Sequence, residues 1–333
     1  MTQDAYTKAG VSQRHADASV AALVSQLSKI QTGKPSRVRP LPGHYASVLQ
    51  IGDNQGIAFG TDGVGTKMVV AEELGRFETI GIDLIAMNVN DLICVGAEPI
   101  ALVDFILCRE ASPEICEQIG MGLREGAEEA GIEIPGGEIA QVGDIVSGIE
   151  LGGSAIGLVD LDRIVTGERI EPGDALVGLP SSGLHSNGYT LARKVLASVP
   201  WSDDRLGRPL GDILLEPTTI YVRAVLDLLT SKVDVRGLAH ITGDGLNNLL
   251  RLSREVGYEL SHPLEVPPVF GLIQELGEVS NEEMHEVFNM GLGFVCVVPA
   301  DDADDAVELL DRHHPGARLI GAVTGRAGDV RRG

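Results

Sequence analysis

Short glycine-rich turns, set between apolar segments, recur along this 333-residue chain and constrain its fold more than any other feature. Glycine lets the backbone turn tightly and lets amide groups approach a ligand closely. The 42 glycines follow no collagen-like period. Five turns end a predicted strand or precede the next element, at residues 62–67, 136–138, 181–188, 240–245 and 288–291. Together they predict one composite cleft lined by several turns.

Hydrophobic periodicity predicts helices and strands in both halves of the chain. The predicted helices cover residues 16–30, 80–95, 219–229, 245–254 and 303–313, and another begins near residue 189. Ser112 and Ser280 are predicted N-caps of two further helices. The predicted strands cover residues 56–61, 100–108, 149–159, 175–179, 294–298 and 318–323, with a loop at 34–42 and a turn at 135–137. This mixture predicts two α/β or α+β domains, residues 1–165 and 166–333, with a polar boundary at 160–173.

The charge balance excludes some functions and leaves others open. A net charge of −22 argues against a nucleic-acid partner, because such a protein needs a positive field. A few local cations and a metal can still reverse the field inside one cleft, so a phosphorylated small substrate remains compatible. The acidic clusters at residues 203–204 and 301–305 are interpreted as solvated faces, with adaptation to a salty cytoplasm as the alternative.

The sequence shows no sign of membrane insertion or export. No apolar run approaches the ~20 residues that a membrane-spanning helix needs. The first ten residues lack the basic and apolar regions of a secretory signal, so a cytoplasmic location is expected. The four cysteines show neither C-x-x-C pairing nor zinc spacing and are predicted to be reduced core thiols.

The turn DGVGTK, residues 62–67, places a carboxylate and an ammonium five residues apart. Asp62 is a candidate Mg²⁺ ligand, because Mg²⁺ prefers oxygen ligands and keeps substrate phosphates in its shell. Lys67 is a candidate phosphate contact, and the glycines allow backbone amides to face an anion. The turn matches neither G-x-x-x-x-G-K-[ST] nor G-x-G-x-x-G. The alternative is a hairpin turn whose Asp and Lys are merely exposed.

Asn88, Asn90 and Asp91 lie close together in the apolar helix predicted at residues 80–95. Buried polar groups must be hydrogen-bonded, so these side chains either bond locally or face a site. Three of them within four positions favour a site wall. Asp91 is then a second ligand, for the metal or for a ribose.

The remaining turns carry further candidates. Glu138 offers a carboxylate after two glycines, and a metal ligand and a solvated side chain are equally compatible with it. The turn SSGLHSNG precedes a predicted helix whose first amides suit a phosphate, with Ser186 or Asn187 as helix caps in the alternative. His185 in this turn and His240 in HITGDG are interpreted as site residues, although a lone buried histidine can be structural.

Nine motifs now make a family resemblance visible. They are AYTKAGV (5–11), TDGVGTK (61–67), AMNVNDL (86–92), GAEP (96–99), GGE (136–138), SSGLHSNGY (181–189), EPTTIYV (216–222), HITGDG (240–245) and FNMGLG (288–293). In this order and spacing the chain resembles the aminoimidazole ribonucleotide synthetase family over nearly its whole length. The stretches 43–47 and 139–143, and Asp244 in place of a glycine, resemble archaeal members.

The resemblance implies a fold and an assembly. It implies an N-terminal α/β domain that binds ATP and a C-terminal α+β domain that completes the active-site cleft. It also implies a homodimer in which the N-terminal strands of both subunits form a shared barrel.

The resemblance further implies a reaction and a set of site residues. ATP is expected to activate the formyl oxygen of formylglycinamidine ribonucleotide as a phosphate ester. A nitrogen then attacks that carbon, expels phosphate and closes the imidazole ring. The predicted catalytic residues are Lys67, His185 and His240. The predicted ATP-binding residues are Asp62, Gly63, Gly65, Thr66, Lys67, Asn90, Asp91, Gly137, Ser186, Asn187 and Asn289. The predicted Mg²⁺ ligands are Asp62, Asp91 and Glu138.

Other members of the same superfamily are the competing interpretations. A selenophosphate synthetase is expected to carry a reactive Cys or selenocysteine near its N-terminal loop, whereas the first cysteine here is Cys94. A thiamine monophosphate kinase is not expected to contain HITGDG and FNMGLG together, and a hydrogenase-maturation relative is expected to end in a cysteine-containing tail. A non-catalytic nucleotide-binding subunit is disfavoured by the presence of four site candidates, Asp62, Lys67, Asp91 and His185.

Overall fold

Two six-stranded sheets, one in each half of the chain, organise the structure, which is a computed structural model describing residues 13–332, with side chains from residue 18 onward. The motif at residues 5–11 lies outside the described residues. The first sheet has the order β1-β2-β3-β6-β4-β5. Its strands are β1 (Val38–Arg39), β2 (Ser47–Gln50), β3 (Gln55–Gly63), β4 (Glu98–Cys108), β5 (Glu133–Gln141) and β6 (Ile149–Asp160). Neighbouring strands are antiparallel except for β4 and β5, which are parallel.

One face of the first sheet is covered by helices. The helices of this half are α1 (Gln13–Leu27), α2 (Lys67–Leu74), α3 (Ile80–Ile93) and α4 (Pro113–Ala130). Every residue of α3 except Asp91 is buried, as expected for a helix placed between the sheet and α4. A Cβ atom at Gly81 would lie 2.1 Å from the backbone nitrogen of Leu123, so α3 and α4 can cross this closely only because that position is glycine.

The opposite face of the first sheet is apolar and exposed. The register places Phe59, Ile156 and Ala101 in one row, and Val103 and Phe105 follow on the same face of β4. Phe59, Val103 and Phe105 are 41%, 45% and 44% exposed. Large exposed apolar patches mark interaction surfaces, so this face has the composition of an interface.

The second sheet has the order β12-β9-β11-β7-β10-β8. Its strands are β7 (Ala175–Pro180), β8 (Gly237–His240), β9 (Gly257–Leu260), β10 (Leu292–Val298), β11 (Arg318–Thr324) and β12 (Val330–Arg332). The helices of this half are α5 (Tyr189–Val195), α6 (Leu210–Leu214), α7 (Val222–Thr230), α8 (Pro268–Gly277), α9 (Asn281–Val287) and α10 (Ala303–His313). All seven residues of β10 are buried, which accounts for its uninterrupted apolar sequence.

Some sequence predictions are confirmed and others are wrong. Ser112 and Ser280 cap their helices by accepting hydrogen bonds from the amides of Ile115 and Glu283. The predicted helix over residues 245–254 is a 3₁₀ helix, Gly245–Arg251. The predicted turn at residues 135–137 is part of strand β5. Because β5 is an edge strand, it tolerates proline and glycine that a central strand would not.

The structure also shows the state of the cysteines and the length and polarity of the helices. Cys94, Cys108 and Cys296 are buried and Cys116 is partly buried, and all four are free thiols. Within residues 13–332, none of the helices is both long and apolar enough to span a bilayer.

Candidate functional site

Lys67 is not an exposed turn residue, contrary to the alternative drawn from the sequence. It is the first residue of α2, its side chain is completely buried, and its Nζ lies 2.8 Å from Oδ2 of Asp83. Nζ also donates to the carbonyl oxygens of His185 at 3.2 Å and Glu216 at 2.6 Å. Burial lowers the pKa of Lys67, and the neighbouring Asp83 opposes that effect. The ammonium is therefore held by groups from both halves of the chain.

Asp83 is the centre of this contact. It was not among the site residues predicted from the sequence. Its Oδ1 accepts hydrogen bonds from the amide and hydroxyl of Thr218 at 2.8 and 2.6 Å. The hydroxyl of Ser186 donates to the same oxygen at 3.1 Å. The available signal was an acid in the first turn of the apolar helix α3, because a buried carboxylate requires partners. We call the group Lys67, Asp83, Ser186 and Thr218 the interdomain latch.

The two asparagines of α3 bond to backbone groups. Asn88 accepts from the amide of Asp62 at 3.1 Å and donates to the carbonyl of Leu84 at 3.0 Å. Asn90 donates to the carbonyl of Thr219 at 2.9 Å and accepts from the amide of Tyr221 at 3.0 Å. Asn88 therefore positions the end of β3, while Asn90 joins α3 to the second half. The predicted contact of Asn90 with ATP stays a prediction.

Asp62, Asp91 and His240 come together between the two halves. Nδ1 of His240 lies 3.0 Å from Oδ1 of Asp91, and the imidazole is completely buried. Asp62 reaches solvent and accepts from the amide of Gly63 at 2.7 Å. Limited hydration raises the pKa of Asp62, and the charge of Asp91 adds to this, whereas the Gly63 amide, His240 and Arg251 act in the opposite direction. Asp62 and Asp91 both reach solvent here, and we call this solvent-facing part of the junction between the two halves the cleft.

The DGVGTK turn leaves open space at Gly65 but not at Gly63. Gly65 has a φ of 67°, and nothing lies within 4 Å of where its Cβ would be. The hydroxyl of Thr66 is 3.1 Å from that of Thr190, which joins the turn to the start of α5. Gly63 closes β3 opposite Gly152. The turn therefore leaves room for a ligand at Gly65, three residues after Asp62.

Glu138 lies apart from the other two predicted metal ligands within one chain. It is exposed on β5 and pairs with Phe105 on the apolar outer face of the sheet. Asp62 is on the inner face, in the row that continues through Gly153 and Asp104 to Gly137. Among the side chains of residues 18–332, no three His, Cys, Asp or Glu residues are placed to hold a metal ion together. The inner-face carboxylate of Asp104 was not singled out in the sequence.

The turn at residues 181–188 is shaped by His185 and Asn289. His185 is buried, has a φ of 61°, and its Nε2 accepts from the amide of Ser182 at 3.3 Å. Burial lowers the pKa of His185 well below its usual value, so the ring is neutral. Asn289 donates to the carbonyl of Gly183 at 2.8 Å and accepts from the hydroxyl of Ser181 at 3.0 Å. Asn187 faces Met87, with 3.9 Å between its Nδ2 and the sulfur.

Tyr45 and Arg251 also lie at the cleft and were not predicted. The hydroxyl of Tyr45 donates to the carbonyl of Asn248 at 3.1 Å. The guanidinium of Arg251 lies 4.9 Å from the centre of the Tyr45 ring, within the range of a cation–π contact. Tyr45 and Asn248 are 203 residues apart, so no local sequence pattern could have paired them.

Family models match both halves of the chain. The model described as AIR synthase related protein, N-terminal domain, matches residues 43–159. The corresponding C-terminal domain model matches residues 171–332. The N-terminal model covers most of the first sheet, and the C-terminal model covers the second sheet.

Solved structures share the fold at low sequence identity. Hydrogenase maturation protein HypE in complex with ATP aligns with a TM-score of 0.64 at 20% identity, covering 88% of this chain and 86% of that chain. Thiamine-monophosphate kinase from Stenotrophomonas maltophilia aligns with a TM-score of 0.62 at 20% identity, covering 90% and 92%. At this identity the likeness shows the fold alone.

Curated relatives are much closer in sequence. Proteins named phosphoribosylformylglycinamidine cyclo-ligase are 48% identical in Pyrococcus furiosus, over 98% of this chain and 96% of that protein. The relative in Thermococcus gammatolerans is 49% identical over 97% of this chain and 96% of that protein. The relative in Methanocaldococcus jannaschii is 46% identical over 96% of this chain and 91% of that protein. With both domain models matched and this identity over nearly the full length, the chain belongs to the phosphoribosylformylglycinamidine cyclo-ligase family.

Proposed function

We propose that this chain catalyses the ATP-dependent cyclisation of formylglycinamidine ribonucleotide to aminoimidazole ribonucleotide, releasing ADP and phosphate, in the purine biosynthesis of the cytoplasm. The observation that carries the proposal is the near-full-length identity of 46–49% to cyclo-ligases, combined with the cleft that holds Asp62, Asp91 and His240. The superfamily alternatives are not favoured. A selenophosphate synthetase in particular needs an accessible thiol, whereas Cys94 is buried.

The cleft fits a magnesium nucleotide. Asp62 and Asp91 provide oxygen ligands of the kind that Mg²⁺ prefers, and a site with few protein ligands is common because Mg²⁺ keeps water and substrate phosphates. Oδ1 of Asp91 faces His240, which leaves Oδ2 for a metal. The open position at Gly65 leaves room for a phosphate beside the turn. Bound ATP supplies the phosphoryl group that turns the formyl oxygen into a leaving group.

His240 is the side chain best placed to move a proton. The carboxylate of Asp91 fixes the ring by accepting from Nδ1, so Nε2 carries the lone pair. Nε2 has no hydrogen-bond partner among the residues that the structure describes. In the proposed ring closure the attacking nitrogen forms a bond to the formyl carbon, and phosphate leaves with the formyl oxygen. Nε2 is buried in this structure, so the site must rearrange to expose it before it accepts the proton from that nitrogen.

Lys67 and His185 act by positioning in this proposal. The latch holds the turn at residues 181–188 against α3, since Lys67 binds the carbonyl of His185 and Asp83 binds Ser186. The phosphate contact expected of Lys67 would require its ammonium to leave Asp83.

The assembly proposed for the enzyme is a homodimer. A second copy would cover the exposed apolar face around Phe59, Val103 and Phe105 and would bring Glu138, which lies on that face, next to the partner. The variant Phe105→Asp should shift light scattering from a dimer to a monomer, whereas Val20→Asp on exposed α1 should not. A wild-type monomer that is active at micromolar concentration would contradict the proposal.

A turnover assay tests the function directly. The enzyme is incubated with ATP, Mg²⁺ and formylglycinamidine ribonucleotide, and both ADP and the cyclised product are measured. We expect equal amounts of the two, and no ADP above background when the ribonucleotide is omitted or replaced by thiamine monophosphate. Binding of ATP without ADP release would support a non-catalytic subunit instead.

A further inference from the structure

Two buried nitrogens in one contact group carry hydrogens with no acceptor. Within residues 18–332, Nε2 of His44 and Nδ2 of Asn248 are buried and have no hydrogen-bond partner. Buried polar atoms are almost always paired with protein, water or a ligand. The two residues belong to one contact group, since Tyr45, next to His44, donates to the carbonyl of Asn248. Nε2 of His44 and Nδ2 of Asn248 therefore mark a place where a hydrogen-bond acceptor is missing.

The hydrogen-bonding roles of both nitrogens follow from their neighbours. Nδ1 of His44 accepts from the amide of Tyr45 at 3.0 Å, so the proton of the neutral ring is on Nε2. Burial, with the nearby charge of Arg251, lowers the pKa of His44 to about 4, so the ring is neutral at pH 7. Oδ1 of Asn248 accepts from the amide of Thr242 at 2.7 Å, which identifies Nδ2 as the free donor. Both orphan atoms are donors.

Arg251 adds a positive charge to these donors. Its guanidinium lies against the Tyr45 ring, and its nearest carboxylate oxygen, on Asp244, is 3.9 Å away. That separation is too long for a strong ion pair, so the planar donor fork remains available. Lys67 cannot serve here without giving up Asp83. Because Asp62 and Asp91 make the cleft acidic, a bound anion needs a fixed cation such as Arg251.

We propose that His44, Asn248 and Arg251 form an anchor for a phosphate group of a substrate. A phosphate offers several acceptor oxygens, which can meet two neutral donors and one guanidinium at once. The proposal rests on the proposed function, whose two substrates both carry phosphates. The anchored group is either the ribonucleotide phosphate or a phosphate of ATP, and the chemistry of the anchor is the same for both.

Substitutions at two positions test the anchor. Arg251→Met removes the charge while keeping the bulk of the side chain, and Arg254→Met is the matched control three residues away. Asn248→Asp keeps an oxygen for the Thr242 amide but replaces the free donor with a repelling carboxylate. Dissociation constants are measured by calorimetry for the ribonucleotide, for ATP with Mg²⁺ and for inorganic phosphate, and melting curves verify folding.

We expect Arg251→Met and Asn248→Asp to weaken binding of one substrate by about 10- to 100-fold, as for the loss of a charged hydrogen bond. Arg251→Lys should weaken it less, and Arg254→Met should leave it unchanged. Weaker ribonucleotide binding alone identifies the ribonucleotide phosphate as the occupant, and weaker ATP binding alone identifies the nucleotide.

Unchanged binding of both substrates in folded Arg251→Met and Asn248→Asp overturns the anchor, as does an equal loss in Arg254→Met. If the wild-type enzyme forms no cyclised product, the proposed function fails. The anchor is then still judged by whether Arg251→Met weakens binding of inorganic phosphate.

Discussion

The two ends of the DGVGTK turn lie in opposite environments. Asp62 reaches solvent in the cleft, near Asp91 and near His240, whose Nε2 has no hydrogen-bond partner. Lys67, five residues later, is completely buried and is contacted by Asp83 and two backbone carbonyls. Unsatisfied polar groups are typical of binding sites, and fully paired buried charges are typical of structural contacts. One motif therefore presents a solvent-accessible carboxylate at its first residue, where we propose that metal binds, and joins the two halves of the chain at its last.

The largest effect is expected from breaking the latch. Lys67→Met leaves Asp83 buried without its cation, and the loss of one partner of a buried ion pair typically costs about 3–5 kcal/mol of folding free energy. The free energy of unfolding, measured with denaturant, should fall accordingly. A merely exposed Lys67, which was the alternative drawn from the sequence, would instead leave folding intact.

Two comparisons isolate the latch. Arg205→Met breaks the exposed pair with Asp203 and should leave the free energy of unfolding nearly unchanged. The double variant Lys67→Met with Asp83→Leu should recover part of the loss, because no unpaired charge remains buried. Unaltered stability of Lys67→Met would show that the latch does not join the domains.

A substitution at Asp62, the cleft end of the turn, should lower enzymatic activity without lowering the stability of the fold. Asp62→Asn removes a charge that would bind metal near the transferred phosphoryl group, and the loss of one such contact typically lowers turnover by ~10²–10³-fold. Its melting temperature should match that of the wild type, because the side chain reaches solvent. Steady-state kinetics over a range of Mg²⁺ concentrations measure the effect, with Asp53→Asn in an exposed turn as the control. Wild-type turnover in folded Asp62→Asn would remove Asp62 from the site.

The smallest expected effect concerns pH. The pKa of His44 is about 4 in the folded chain, below the ordinary value of 6.5. Between these values the unfolded chain binds the extra proton, so His44 favours folding fully above pH 6.5 and this contribution is lost as the pH falls toward 4. The loss is at most about 3 kcal/mol.

The difference in unfolding free energy between the wild type and His44→Gln, measured from pH 7 to pH 4, isolates this contribution. The wild type should lose stability relative to the variant across that range. His262→Gln, at an exposed histidine, provides the control. Parallel curves for the wild type and His44→Gln would show that the imidazole is hydrated in the folded chain.

Sequence patterns selected much of the candidate site, but they did not distinguish its two kinds of polar residue. Asp62, Asp91 and His240 were predicted from polar residues at the ends of apolar segments, and the structure brings them together. Lys67, Ser186 and Asn289 met the same criterion, yet each is engaged by protein groups. Local sequence shows that a polar residue borders the core, whereas its partners are set by the distant segments that pack against it.

The sequence by itself determined the features that depend on neighbouring residues. The apolar run of α3, the caps at Ser112 and Ser280 and the buried strand β10 follow from local periodicity and capping. The tertiary structure alone decided that residues 135–137 form part of an edge strand, because pairing with β4 outweighs the turn preference of proline and glycine. It also decided that Lys67 lies next to Asp83 and the carbonyl of Glu216, 16 and 149 residues away in sequence. Contacts over such separations form only when the two halves pack, and a buried charge then binds whichever partner the packing provides.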